Sequence, residues 1–210
     1  MLESFNDSIK KHLVNNIWVY IIVISLFILG ICLGAITVNI IDETAKADAK
    51  NYIDGFIDIT ANESLQTAFI LKQSIKFNLY FTVAVFLSGL IYLGILIIPI
   101  LIAFRGFCIG FSIAFLTESL GKGGFLFSIA SILPQNIIYV PVLIMLGVLS
   151  LNNSVLTLRN KYIKKYNTIP SQLASYAFSS LMLLILLVAG CIVEAYITSS
   201  LVKVITPYIS

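Results

Sequence analysis

Histidine is almost missing from this chain: His12, in the polar N-terminal stretch, is the only one in 210 residues. Cysteine is scarce as well. Cys32, Cys108 and Cys191 are odd in number, each lies in an apolar stretch, and no Cys-x-x-Cys or Cys/His spacing exists. These shortages argue against a His-ligated metal, a zinc site, a catalytic triad and a disulfide framework. Charge is the largest deficit. Asp, Glu, Lys and Arg make up 11% of the residues, where soluble domains carry about 25%. Gly121-Lys-Gly-Gly124 has neither the Walker spacing nor a preceding strand, so no phosphate loop is present. The basic residues border apolar runs, and nothing implies nucleic acid. No cofactor, metal or enzymatic activity is expected.

What remains is grease. Hydrophobic residues make up 59% of the chain and the mean hydropathy is +1.01. An all-α polytopic membrane protein follows, a single integral membrane domain over 1–210 with about five transmembrane helices. The apolar runs are residues 17–41, 79–104, 106–120, 125–151 and 173–198. The first is too long for a signal-peptide core and reads as an uncleaved anchor, with Trp18 and Tyr20 suited to an interfacial aromatic belt. The third rises only about 22 Å, short of the roughly 30 Å hydrocarbon core. It carries Gly106-x-x-x-Gly110, a spacing that favours close helix contact, within the chain or between two copies in a homodimer.

The fourth run carries the most distinctive polar feature. Pro134 and Pro141 interrupt it, and the amides Gln135 and Asn136 lie between them. A proline inside a span removes a backbone donor and bends the helix. The amides beside it are expected to face protein, water or another chain, satisfying freed carbonyls of neighbouring helices or lining a pathway.

Two polar segments separate the runs. Residues 42–77 hold six acids against four bases. They read as two short amphipathic helices, with Thr60-x-x-Glu63 a capping box for the second. Residues 152–172 hold Arg159, Lys161, Lys164 and Lys165 and no acid, a basic amphipathic helix along the inner surface. Basic residues mark the cytoplasmic side, so the N-terminus lies inside and the C-terminus outside. On that topology Arg105 sits at the inner end of its span. Glu118 and Glu194 sit near outer ends, Glu118 in reach of Lys122 four residues on. The outer surface, residues 42–77 above all, is the expected docking surface for partners.

Several motifs add to this reading. Arg105-Gly-Phe-Cys-Ile-Gly-Phe111, Ser131-Ile-Leu-Pro-Gln-Asn136 with Pro141, and Glu194-Ala-Tyr196 with Thr206-Pro207-Tyr208 closely resemble the stage II sporulation protein M family. The likeness runs over nearly the whole chain. The wider family tends to carry Pro-His-Gly and a glutamate before the second proline; here those positions hold Gln135, Asn136 and Tyr139. The resemblance implies a mother-cell or septal membrane protein of endospore engulfment. It implies a non-enzymatic scaffold that anchors two peptidoglycan hydrolases, the stage II sporulation proteins D and P. The competing reading of the residues is a permease-like transporter subunit with its pathway at the fourth run.

Overall fold

A computed structural model describes residues 14, 16–44, 46–48, 51, 63–119, 122–163 and 169–198. Among these residues the chain builds five long helices and no strand. They are α1 (Ile17–Thr37), α2 (Glu63–Leu90), α3 (Gly94–Ser119), α4 (Lys122–Ile163) and α5 (Ile169–Val193). A π-helical turn, Glu194–Thr198, continues α5. Four helical stretches are long and apolar enough to cross a membrane: Ile17–Thr37, Gly94–Ser119, Gly124–Lys161 and Gln172–Tyr196. The fifth helix, α2, has 28 residues but a polar first half that includes Lys72, Gln73 and Lys76. The chain is an all-α polytopic membrane protein.

The helix boundaries correct the expected ones. No break occurs at Arg105: α3 runs unbroken from Gly94 through Pro99, Arg105 and Gly110 to Ser119. The chain turns instead at Ile91–Leu93. The short third span is therefore the second half of a full-length helix, and Arg105 lies near the middle of α3 rather than at an end. The second amphipathic helix of the 42–77 segment is the start of α2; Thr60 of its capping box lies outside the described residues. The basic helix up to Ile163 is likewise the end of α4, which spans 42 residues and passes through both prolines; Lys164 and Lys165 lie outside the described residues. At 1.5 Å per residue α4 is about 63 Å long, twice the hydrocarbon thickness.

The bundle closes on small residues. Without water to drive helices together in lipid, close backbone approach and polar contacts hold them. On α1, Gly30 and Gly34 face α3; on α3, Gly106 and Gly110 face α1. A methyl built at Gly30 would overlap the carbonyl oxygen of Ala103, and one at Gly34 that of Phe107. Reciprocally, Gly106 meets the carbonyl of Phe27 and Gly110 that of Ile31. Within the chain the Gly-x-x-x-Gly partner is thus α1. Tyr20, Val23 and Phe27 of α1 join Ile98, Ile102, Val142, Leu146 and Leu187 in one core. Tyr20 is therefore buried, whereas Trp18 is exposed as an interfacial residue would be.

Polar contacts mark the two ends. At one end the last carbonyls of α2 would be orphaned by the turn. Asn153 Nδ2 donates to Gly89 O at 2.9 Å, Ser154 Oγ to Ser88 O at 3.2 Å and the Tyr176 hydroxyl to Phe86 O at 2.9 Å. Asn152 Nδ2 binds Asn16 Oδ1 at 2.9 Å, which fixes the start of α1 there. At the other end Lys46 Nζ donates to Glu118 Oε1 at 2.7 Å and lies 3.6 Å from Glu43. Glu118 thus pairs across the chain with Lys46; the side chain of Lys122 lies outside the described residues.

The hydrogen bond to Glu118 raises the Lys46 pKa above the ordinary lysine value. A raised folded pKa gives stability that is complete below the unfolded lysine value and is lost as pH climbs through the folded one. Lys46→Ala should therefore lower the melting temperature slightly at neutral pH, since exposed pairs are weak. The gap from the parent should close in melts recorded at rising alkaline pH.

Candidate functional site

Polar side chains in an apolar bundle are expensive unless they satisfy one another. Here they collect at one place. Ser74 and Asn78 stand one turn apart on α2 and share a face. Arg105 comes from the middle of α3. Gln135, Asn136 and Tyr139 come from the proline-flanked part of α4, and Glu194 opens the π-helical turn. They line a cavity of about 290 Å³, together with Phe69, Ile70, Gln73 and Phe77. A π-turn carries one more residue than an α-turn and is frequent at functional sites.

The hydrogen bonds run in a chain. Glu194 Oε2 accepts from the Tyr139 hydroxyl at 2.7 Å and from the Ser74 hydroxyl. The two hydroxyls lie 2.9 Å apart. Asn78 Nδ2 donates to the Ser74 carbonyl at 3.0 Å, and Asn78 Oδ1 accepts from Arg105 Nη2 at 3.1 Å. The guanidinium also faces aromatic rings, 5.2 Å from the Phe77 centroid, 5.8 Å from that of Phe81 and 6.0 Å from that of Tyr139. Arg105 and Glu194 nevertheless form no ion pair; among the described residues both ion pairs belong to Lys46. Arg105 Nε and Asn136 Oδ1 are buried without a hydrogen-bond partner.

The amides border the cavity and also bond backbone carbonyls. Gln135 Nε2 donates to Ser131 O and Asn136 Nδ2 to Ile132 O, both at 2.6 Å. Each of these two bonds is to a carbonyl of the same helix, one turn back. Of the residues singled out in the sequence, Arg105, Gln135, Asn136 and Glu194 meet at the cavity. Pro134 and Pro141 flank its α4 wall in sequence. Gly106 and Gly110 face α1. Glu118 lies at the Lys46 end, and Tyr196 is exposed. Arg105 and Glu194 meet at one cavity rather than at opposite membrane faces, because α3 has no break at Arg105 and α5 brings Glu194 back to α2.

Two members of the site gave no signal of their own, and a third only through the family resemblance. Ser74 and Asn78 fall where a polar outer segment meets an apolar run, and Tyr139 stands where the wider family tends to carry a glutamate. The pattern that reveals the first pair is their spacing of four residues on the buried face of α2. Among the described residues no group of three His, Cys, Asp or Glu side chains could hold a metal ion. What the site offers is one cation and one carboxylate, held apart, with amides and hydroxyls between them, inside an apolar shell.

These features define a multi-pass helical membrane protein with a polar cavity inside its bundle. A sequence profile of the family described as Stage II sporulation protein M matches residues 23–199, from α1 through the π-helical turn. The chain belongs to that family, and with it to the sporulation-related membrane proteins. No curated protein and no solved structure matches it.

Proposed function

We propose that the chain is a non-enzymatic scaffold of engulfment in the mother-cell or septal membrane. In this reading it anchors the stage II sporulation proteins D and P, the peptidoglycan hydrolases implied by the family resemblance. One observation carries the reading: α2 presents charge on its open side. Lys72, Gln73 and Lys76 are exposed there, beside exposed Phe69, Phe77 and Tyr80. Neither lysine has an ion-pair partner among the described residues. Ala68, Leu71, Ile75 and Tyr80, with the two lysine stems, line a groove of about 540 Å³ along this side. Lipid chains satisfy no ammonium group, and a cation at bilayer depth is costly. An apolar partner helix carrying an acidic residue fits both the groove and its charge.

The test is co-purification from sporulating cells. Lys72→Glu with Lys76→Glu should lose the hydrolases, and Lys72→Arg with Lys76→Arg should keep them. Equal recovery with the two charge-reversing changes would contradict the reading. One observation favours a second reading, a permease-like subunit: the cavity beside Gln135 and Asn136 in the proline-flanked helix. Solute uptake by vesicles containing the purified chain would support it.

A further inference from the structure

Opposite charges in a low-dielectric interior attract strongly, and a buried pair left apart is unusual. Arg105 and Glu194 border one cavity and do not pair. Each is restrained from its own side. Asn78 accepts from Arg105 Nη2, and the rings of Phe77, Phe81 and Tyr139 flank the guanidinium. Ser74 and Tyr139 both donate to the same oxygen of Glu194, Oε2. Among the described residues Oε1 has no hydrogen-bond partner, and neither have the guanidinium N–H groups beyond the one bound to Asn78. The Asn136 amide donates to the Ile132 carbonyl, which leaves its Oδ1 as an acceptor with no partner. The open capacity is therefore donors on the cationic side and acceptors on the anionic side.

We propose that this cavity binds a small zwitterion of amino-acid size, its carboxylate on Arg105 and its ammonium on Glu194 Oε1. A simple anion would meet the uncompensated carboxylate of Glu194, and a simple cation the guanidinium of Arg105. Only a ligand with both charges satisfies both walls. The volume agrees: about 290 Å³ lies just under the range of roughly 300–1,000 Å³ that holds drug-sized ligands. Zwitterionic lipid headgroups share this chemistry, but depth disfavours them. Arg105 lies about 16 Å along α3 from its Gly94 end and about 21 Å from its Ser119 end, far from either headgroup layer. The inference stands apart from the scaffold reading: the ligand is held by Arg105 and Glu194 and the partner by Lys72 and Lys76, although the exposed α2 residues Phe69, Gln73 and Phe77 border both the cavity and the open side of α2.

Thermal melting of the full chain in phosphatidylglycerol nanodiscs tests it, with glycine and both enantiomers of alanine as probes. At least one of these should raise the melting temperature by several degrees at millimolar concentration. Acetate and methylammonium at equal concentration should not. Arg105→Lys and Glu194→Gln should each weaken the shift at least tenfold in ligand concentration. Should either variant fail to fold, Asn136→Leu serves instead, because it fills the cavity from α4 without touching a charge and should abolish the shift. No shift with any amino acid would overturn the proposal, as would an equal shift with acetate alone. A shift on adding phosphatidylethanolamine but not glycine or alanine would assign the site to a headgroup and overturn it too. Loss of hydrolase co-purification bears on the α2 groove alone, so the two readings fail independently.

Discussion

Gly110→Leu is expected to abolish the folded bundle, and Gly30→Leu to do the same from the other side of the contact. The β-carbon of any residue at Gly110 would overlap the carbonyl oxygen of Ile31, and at Gly30 that of Ala103. Those are backbone atoms, so no side-chain rotation relieves the clash. The helices must separate, and separation removes the close contact that holds them in lipid. Overpacking of a core typically costs about 1–3 kcal/mol, and this rigid case lies at or beyond about 3 kcal/mol. Gly147→Ala provides the contrast. Its nearest neighbour would be the Ile102 Cδ1 atom at 3.1 Å, the movable tip of a side chain. Size-exclusion profiles in detergent and thermal melts should show aggregation or loss of yield for the first two variants and near-parental behaviour for the third. Gly110→Leu also separates two uses of the same motif. A contact between copies would leave a folded monomer; the contact with α1 leaves none.

The outer frame of this fold is legible in the sequence, and its interior is not. The apolar runs at 17–41 and 173–198 fall on α1 and α5, because sustained hydropathy over the bilayer thickness depends on local composition alone. The turn at Ile91–Leu93 has no such signature. Ile91, Tyr92 and Leu93 are not turn formers, and the carbonyls freed there are capped by Asn153, Ser154 and Tyr176, far along the chain. Arg105 attracted the boundary instead, because a charge in lipid suggests an end. It is tolerated mid-helix because Asn78 and three rings surround it, and no local pattern encodes that company. The same holds for the glycines. Gly106-x-x-x-Gly110 is visible as a motif, but its meeting with Gly30-x-x-x-Gly34 is a tertiary fact. Gln135 and Asn136 stood out as polar groups in grease; the cavity they border needed Ser74 and Asn78, on a helix whose first half reads as lying outside the membrane.

Arg105→Leu and Glu194→Leu are expected to destabilise the bundle separately, and together by less than the sum. Arg105→Leu removes a charge-assisted hydrogen bond, at about 1.5–3 kcal/mol, and aromatic contacts of roughly 0.5–2 kcal/mol each. A loss of about 3 kcal/mol or more follows, with Asn78 Oδ1 left unpaired and Glu194 the only charge at the cavity. Glu194→Leu leaves the Ser74 and Tyr139 hydroxyls without their acceptor and Arg105 without a counter-charge. In each single variant the surviving charge has no opposite within the cavity, a situation costlier than having both charges or neither. The double variant removes that cost, so its destabilisation should fall short of the summed singles by about 0.5–3 kcal/mol, the range for coupled neighbours. Reversible unfolding of the four proteins in mixed detergent micelles measures the cycle. Additivity within about 0.5 kcal/mol would mean the two groups do not sense each other. It would dissolve the idea of a single site. A clear shortfall would show that two charges which never touch still share one environment, and that the hydroxyls and amides between them transmit the coupling.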